Sequence, residues 1–383
     1  MKKAALAVAA LAACTSSAWA QSSVTLYGIV DAAARYTSNS AAAPAAIPAY
    51  GIAAGAGAVA PKQLIPGGMS QSRLGLNVTE DLGGGLKALV NMEHRFNSDI
   101  GTVAAADFWR QVWVGLQSSD LGQIRMGRQY NVLFDIYTST YASFRYSPYI
   151  EAFKPELGMS LGARQDNMVK YLVQVGNVYG EVQVSAGEGN TAINANKSIG
   201  GLLRYNDGTI GAGGAYLQVT GSDGKKVKAS TLGASYTAGP LYAHVAWASN
   251  KFDEGANLQA AFTATSLLAG NGNASNAGLA SPGAQAALSV SKRDMWLLGA
   301  TYQVTAQLNL GASYWHTTQK AQFAVIPDSK LDQIAVVADY AFSKRTDAYV
   351  EFDNTKFSSS GAVRFNNGVT SRAGTMVGLR HRF

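Results

Sequence analysis

Over most of the chain apolar and polar residues alternate with a period of two, which places the two sets on opposite faces of extended strands. The last stretch, 372–383, shows it most clearly. Ala373, Thr375, Val377, Leu379, His381 and Phe383 form a mostly apolar set, while Arg372, Gly374, Met376, Gly378, Arg380 and Arg382 carry three arginines. An edge strand of a soluble sandwich would show the same alternation. A strand running to a buriable aromatic at its last residue points instead to a ring of strands being closed, since soluble domains usually end in a wettable tail and closure leaves no free edge. In hydrocarbon closure is compulsory, because each unpaired backbone group there costs several kcal/mol.

The same alternation predicts sixteen strands: 24–36, 69–80, 85–96, 106–117, 121–129, 164–175, 179–188, 198–205, 209–221, 227–237, 240–250, 291–302, 306–318, 330–342, 346–356 and 372–383. The connections fall into two classes. Odd-numbered ones, such as 37–68, 97–105, 130–163 and 251–290, are generally long, and even-numbered ones, such as 81–84, 176–178 and 238–239, are short. A soluble sandwich has no reason to segregate loop length in this way, whereas an up-and-down transmembrane barrel has short periplasmic turns and long external loops. The fold predicted is therefore all-β, a sixteen-stranded antiparallel transmembrane barrel. Residues 41–60 are apolar enough to suggest a membrane helix, but Pro44, Pro48, Gly51, Gly55 and Gly57 interrupt them, and a low-complexity loop is the plainer account.

Sorting the faces shows what the barrel encloses. In 85–96, Ala88, Val90, Met92 and Phe96 oppose Lys87, Asn91, Glu93 and Arg95; in 346–356, Ala348, Val350 and Phe352 oppose Asp347, Tyr349, Glu351 and Asp353. Charges of both signs cannot form a dry core. A barrel of this width leaves an aqueous channel, so the architecture itself supplies diffusion.

Composition agrees with a wall that has one oily and one wet face: charged residues are 14%, mean hydropathy is +0.00, and Gly 41 and Tyr 18 supply turns and interfacial rings. Lys2 and Lys3, the apolar run 4–13 and Ala18-Trp19-Ala20 read as a cleaved export signal over 1–20, which leaves 21–383 as one barrel domain. Cys14, the one cysteine, leaves with it; the alternative, a lipid-modified Cys14, would have a very short apolar region before it. Cleavage removes two lysines and no acids, lowering the formal charge from +7 to +5. The basic residues are dispersed along strands and form no dense patch, so nothing beyond net charge points to nucleic acid.

The longest connection of the first half, 130–163, combines Asp135, Glu151 and Glu156 with Tyr137, Tyr141, Phe144, Tyr149 and Phe153. So aromatic a loop is expected to fold inward against the wall; the alternative is a loop that contacts lipid or a second subunit.

Four segments, SSVTLYGIVDAAARY, SRLGLNVTEDLGGGLKALVNMEHRF, VWVGLQSSDLGQIRMGRQ and the terminal VGLRHRF, resemble the general diffusion porins of Gram-negative bacteria, especially the trimeric porins of beta-proteobacteria. The resemblance spans the mature chain. It implies a homotrimer in the outer membrane, in contact with lipid and lipopolysaccharide, that passes small hydrophilic solutes and ions and is narrowed by its third external loop. It also implies a cluster of wall arginines facing loop carboxylates: by motif position Arg73, Arg128 and Arg164, across from Asp135, Glu151 and Glu156. Alternation groups Arg128 with Ile124 and Met126, so either a bulge shifts the phase or Arg125 is the inward residue; the motif favours Arg128.

No catalytic, cofactor or metal motif competes. His94, His244, His316 and His381 stand singly on different strands, there is no GxSxG or phosphate loop, and Gly83-Gly84-Gly85 reads as a turn. The inward basic residues and the +5 charge predict a weak to moderate anion preference; a channel selective for sugars or carboxylates is the alternative.

Overall fold

The computed structural model describes residues 22–38, 62–104, 108–187, 197–221, 223–254, 290–322, 328–358 and 370–383. The signal at 1–20, the stretch 41–60 and most of the insertion 251–290 lie outside these residues.

Sixteen long strands form the wall: β1 Ser23–Thr37, β2 Arg73–Gly83, β3 Leu86–Asn97, β4 Trp109–Ser118, β5 Gly122–Tyr130, β6 Arg164–Val175, β7 Val178–Ser185, β8 Lys197–Asn206, β9 Ile210–Thr220, β10 Lys226–Ala238, β11 Leu241–Phe252, β12 Val290–Gln303, β13 Leu308–Ala321, β14 Ser329–Ala341, β15 Thr346–Phe357 and β16 Ser371–Arg382. Each pairs antiparallel with its neighbours, and the ring closes where β1 pairs β16 from Ile29↔Arg382 to Thr37↔Gly374. Two short strands, Lys62–Ile65 against β1 and Thr102–Val103 against β3, lie in the first and second long connections. No helix among the described residues is long and apolar enough to cross a membrane.

The faces sort as the alternation requires. On β15, Val350 is 55% exposed on the outside while Glu351 beside it is 1% exposed on the inside. The boundary that departs most from the predicted pattern is the start of β2. Residues 69–72 alternate like a strand, but the amides of Gly68, Met69 and Ser70 donate to the buried Asp31 carboxylate at 3.1, 3.1 and 2.7 Å, so β2 starts only at Arg73. A carboxylate accepting several backbone N–H groups makes strong, charge-assisted bonds that outcompete a ladder.

The third long connection, 131–163, folds into the lumen. It opens with helix α1, Val132–Ser139, capped by the Asn131 side chain, which accepts from the Phe134 amide at 3.0 Å; Val132, Leu133, Phe134, Ile136 and Tyr137 are buried. The loop then crosses from wall to wall. The Val132 amide donates to Gln183 on β7, Tyr141 bonds Thr231 on β10, Ser313 on β13 donates to the Ser143 carbonyl, and the amides of Glu151 and Ala152 reach the carbonyls of Met69 and Gly68. Wall glycines make room for its rings. A Cβ at Gly233 would stand 2.6 Å from Tyr141, and one at Gly311 2.7 Å from Phe144.

Candidate functional site

Where the loop returns past β2–β6, three arginines from three strands converge. Arg110 on β4 donates to Glu93 at 2.9 Å and to the Tyr149 hydroxyl at 3.0 Å, with its guanidinium 5.4 Å from the centre of the Tyr130 ring. Arg164, at the start of β6, lies 4.9 Å from the same ring. Arg73, at the start of β2, stands 3.9 Å from Glu93, which also accepts from Tyr27 at 3.1 Å. The loop adds an ion pair of Lys154 with Glu151, and the Lys154 ammonium is 5.5 Å from the Tyr149 ring. Cations therefore outnumber carboxylates here, with Arg73, Arg110, Arg164 and Lys154 against Glu93 and Glu151, a surplus of two.

The loop side chains feel that surplus. Burial would raise the Glu151 carboxyl, but Lys154, Arg110 and Arg73 together hold it below its ordinary value. Burial lowers Lys154; Glu151 opposes the shift while Arg110 and Arg164 add to it, and the result is a lysine below its ordinary value.

Of the residues expected at this site, the fold brings Arg73, Arg164 and Glu151 together and separates the other three. Arg128 lies in register with Val112, Met92 and Leu76, the row of the outer face; it pairs with Asp166 and donates to the Trp109 carbonyl at 2.9 Å. The bulge between Gly127 and Gln129 alters the pairing with β6 only. Arg125 opposes the buried Lys170 and stacks 4.4 Å from Trp113, so alternation had its phase right. Asp135 pairs with Lys170, which also reaches Glu181 at 3.1 Å; burial, opposed by Lys170, pushes Asp135 up to about 7. Glu156 accepts from Ser143 at 2.6 Å, and burial pushes it up to about 7.

Arg110 is the residue that sequence reasoning missed. It is in phase with the outward Val112, Val114 and Leu116, but the β3–β4 register jumps from Glu93↔Gln111 to His94↔Trp109, and that bulge turns Arg110 inward. The signal was there: an arginine in a lipid-facing stripe is costly enough that the backbone must take it in or a partner must neutralise it. Arg110 follows the first route and Arg128, with Asp166, the second.

Adjoining it around the ring, where β1 pairs both β2 and β16, β14–β16 and β1 hold a second set of buried charges. Arg35 bridges Glu351 at 3.2 Å and Asp353; Arg380 reaches Asp347 at 2.7 Å, Asp339 at 3.5 Å and Ser70 at 2.8 Å; Arg382 reaches Asp347 at 3.0 Å. Asp31 accepts from Tyr349 at 2.5 Å. Among the described residues no group of three or more His, Cys, Asp or Glu could hold a metal ion.

Comparison with known proteins agrees with this architecture. Residues 7–360 match the family model described as Gram-negative porin. Outer membrane porin protein 32 of Delftia acidovorans is 30% identical over 100% of both chains. An outer membrane porin protein of Bordetella pertussis is 36% identical over 45% of this chain and 44% of its own. Among solved structures, the anion-selective porin from Comamonas acidovorans superposes with a TM-score of 0.69 at 25% identity, covering 95% of this chain and 100% of that one. Barrel, inward loop and sequence match together make this chain a member of the Gram-negative porin family.

Proposed function

We propose that the chain forms a water-filled channel of the Gram-negative outer membrane for passive diffusion of ions and small hydrophilic solutes, with a weak to moderate preference for anions. The observation that carries this reading is the cationic surplus of Arg73, Arg110, Arg164 and Lys154 over Glu93 and Glu151 beside the inward loop. We assign the constriction to these residues. An ion at a narrow waist passes within a few ångströms of such charges, inside the roughly 8 Å over which physiological salt screens, so their field acts on it directly. The relative from Comamonas acidovorans is an anion-selective porin, which supports the same sign.

Sugar selectivity is the weaker reading. A sugar path needs a row of exposed rings, and Tyr137, Tyr141, Phe144 and Phe153 of the loop are buried among one another and against the wall. Liposome swelling tests the choice: rates that fall smoothly with solute size are expected, and saturation by one solute class would reject the general channel.

The assembly we propose is a homotrimer. The outer face of β1 offers Val30, Ala32 and Ala34 for close approach of a neighbour, while Gly28 on the same face is covered by the Phe383 ring, and the resemblance to trimeric porins supplies the number. Cross-linking of unheated, detergent-extracted protein should give a trimer band, and a purely monomeric product would refute it.

A further inference from the structure

The inward loop also roofs a cavity that takes no part in the arginine cluster. Between the C-terminal end of α1 and the inner face of β8–β11, at the end of the wall that carries the short turns, lies a space of about 270 Å³. Register brings its wall residues side by side: Asn206 opposite Gly211, Gly211 opposite Ser235, and Thr237 opposite Tyr242. Gly211 keeps the space open, since a Cβ there would stand 2.7 Å from the Ser235 hydroxyl oxygen and 3.6 Å from the Thr140 carbonyl oxygen.

Seven of the twelve lining residues carry hydroxyls, one is a cation, Arg145, and none is a carboxylate. Arg145 is exposed on the loop and makes no hydrogen bond or ion pair among the described residues. The other groups at this level are committed. Arg204 donates to the Ser139 carbonyl at 3.4 Å and lies 4.6 Å from the Tyr179 ring, and Asp207 of the adjoining turn accepts from the amides of Thr209 and Ile210 at 2.9 and 2.7 Å. Asn206 is half committed: its side-chain oxygen accepts from the Gly208 amide at 2.8 Å, which leaves its two N–H donors without a partner among the described residues.

This donor set selects a chemistry. One uncompensated guanidinium suits a monoanion, and its planar fork matches a carboxylate. At the opposite side residues 138–140 close the cavity with the C-terminal end of α1, which carries partial negative charge and therefore receives neutral hydroxyl donors better than a second anionic group. Size narrows the choice further. A water molecule takes about 30 Å³, so a bare acetate or chloride would leave most of the space to water, whereas a hydroxylated chain of sugar length would fill it.

We propose that this cavity is a binding site for small polyhydroxylated carboxylates, the sugar-acid class, with Arg145 holding the carboxylate and Asn206 and the surrounding hydroxyls holding the chain. The proposal deepens the diffusion-channel reading, on which it rests for the supply of solute, and needs no selectivity at the arginine cluster. The test titrates the full chain, refolded in detergent micelles, with gluconate and reads binding by ligand-observed NMR, with acetate, glucose and inorganic phosphate as controls. Wild type should bind gluconate at least tenfold more tightly than any control. R145Q should lose that margin while keeping its β-barrel circular dichroism, N206A should weaken gluconate several-fold and leave acetate unchanged, and R73Q, at the arginine cluster, should bind gluconate like wild type. Equal binding by wild type and R145Q would overturn the proposal. So would acetate or phosphate binding as tightly as gluconate, which would indicate a counter-ion site only. Failure of the channel reading would show separately, as planar bilayers without conductance, and leaves this binding measurement intact.

Discussion

Two banks of the lumen carry the same residue types to different ends. On β14–β16 and β1, Arg35 and Arg380 are each held by two carboxylates and are about as buried as the apolar core. On β2–β6, Arg73, Arg110 and Arg164 gather around one wall carboxylate, Glu93, and the loop contributes its carboxylate together with a lysine. An arginine with enough acids is mortar between strands, whereas one in excess of them projects a field into the channel. Burial alone does not tell them apart: Arg380 and Arg110 are both 1% exposed.

The largest expected effect lies on the balanced bank. Arg380→Gln leaves Asp347 and Asp339 buried without their shared cation, and breaking a buried pair in this way costs about 3–5 kcal/mol. The mutant barrel should lose its folded, unheated gel mobility at a markedly lower temperature while its ion selectivity changes little. If instead selectivity changed and heat resistance did not, the two banks would have been assigned the wrong way round.

A smaller effect concerns the inward loop. Glu156 is buried at 2% exposure with Ser143 as its hydrogen-bond donor, and its carboxyl sits at about 7, above the unfolded value. An acid raised in this way favours the folded loop fully below the unfolded pKa, and that contribution is lost as pH rises through about 7. The loop seat should therefore loosen between about pH 5 and pH 8. Asp135, raised for the same reason of burial, acts in the same direction. Open-channel current noise should rise over this window and rise less in Glu156→Gln; a mutant that follows wild type would remove Glu156 from the account.

How far the sequence could be read depended on the backbone staying regular. Strand number, the two classes of connection and the faces of β15 and β16 all follow from alternation, which holds wherever the ladder is unbroken, and the inward loop follows from its aromatic content. The failures sit at irregularities. The β4 bulge turned Arg110 inward against its phase, and Asp31 drew 68–70 out of strand geometry through side-chain bonds that no local pattern encodes. The loop carboxylates were legible as a group, but which of them faces the arginines was not: partners such as Lys170 for Asp135 and Ser143 for Glu156 are set by where the loop crosses the wall.

The claim that the β2–β6 bank sets the channel's preference is tested most directly by the reversal potential across a planar bilayer under a KCl gradient, measured for wild type and for R73Q/R110Q/R164Q. Wild type should give a potential of anion-selective sign. Removing charges worth about a kcal/mol each at the waist should carry the triple mutant toward zero or across it. A wild-type potential of cation-selective sign, or a triple mutant indistinguishable from wild type, would contradict the account.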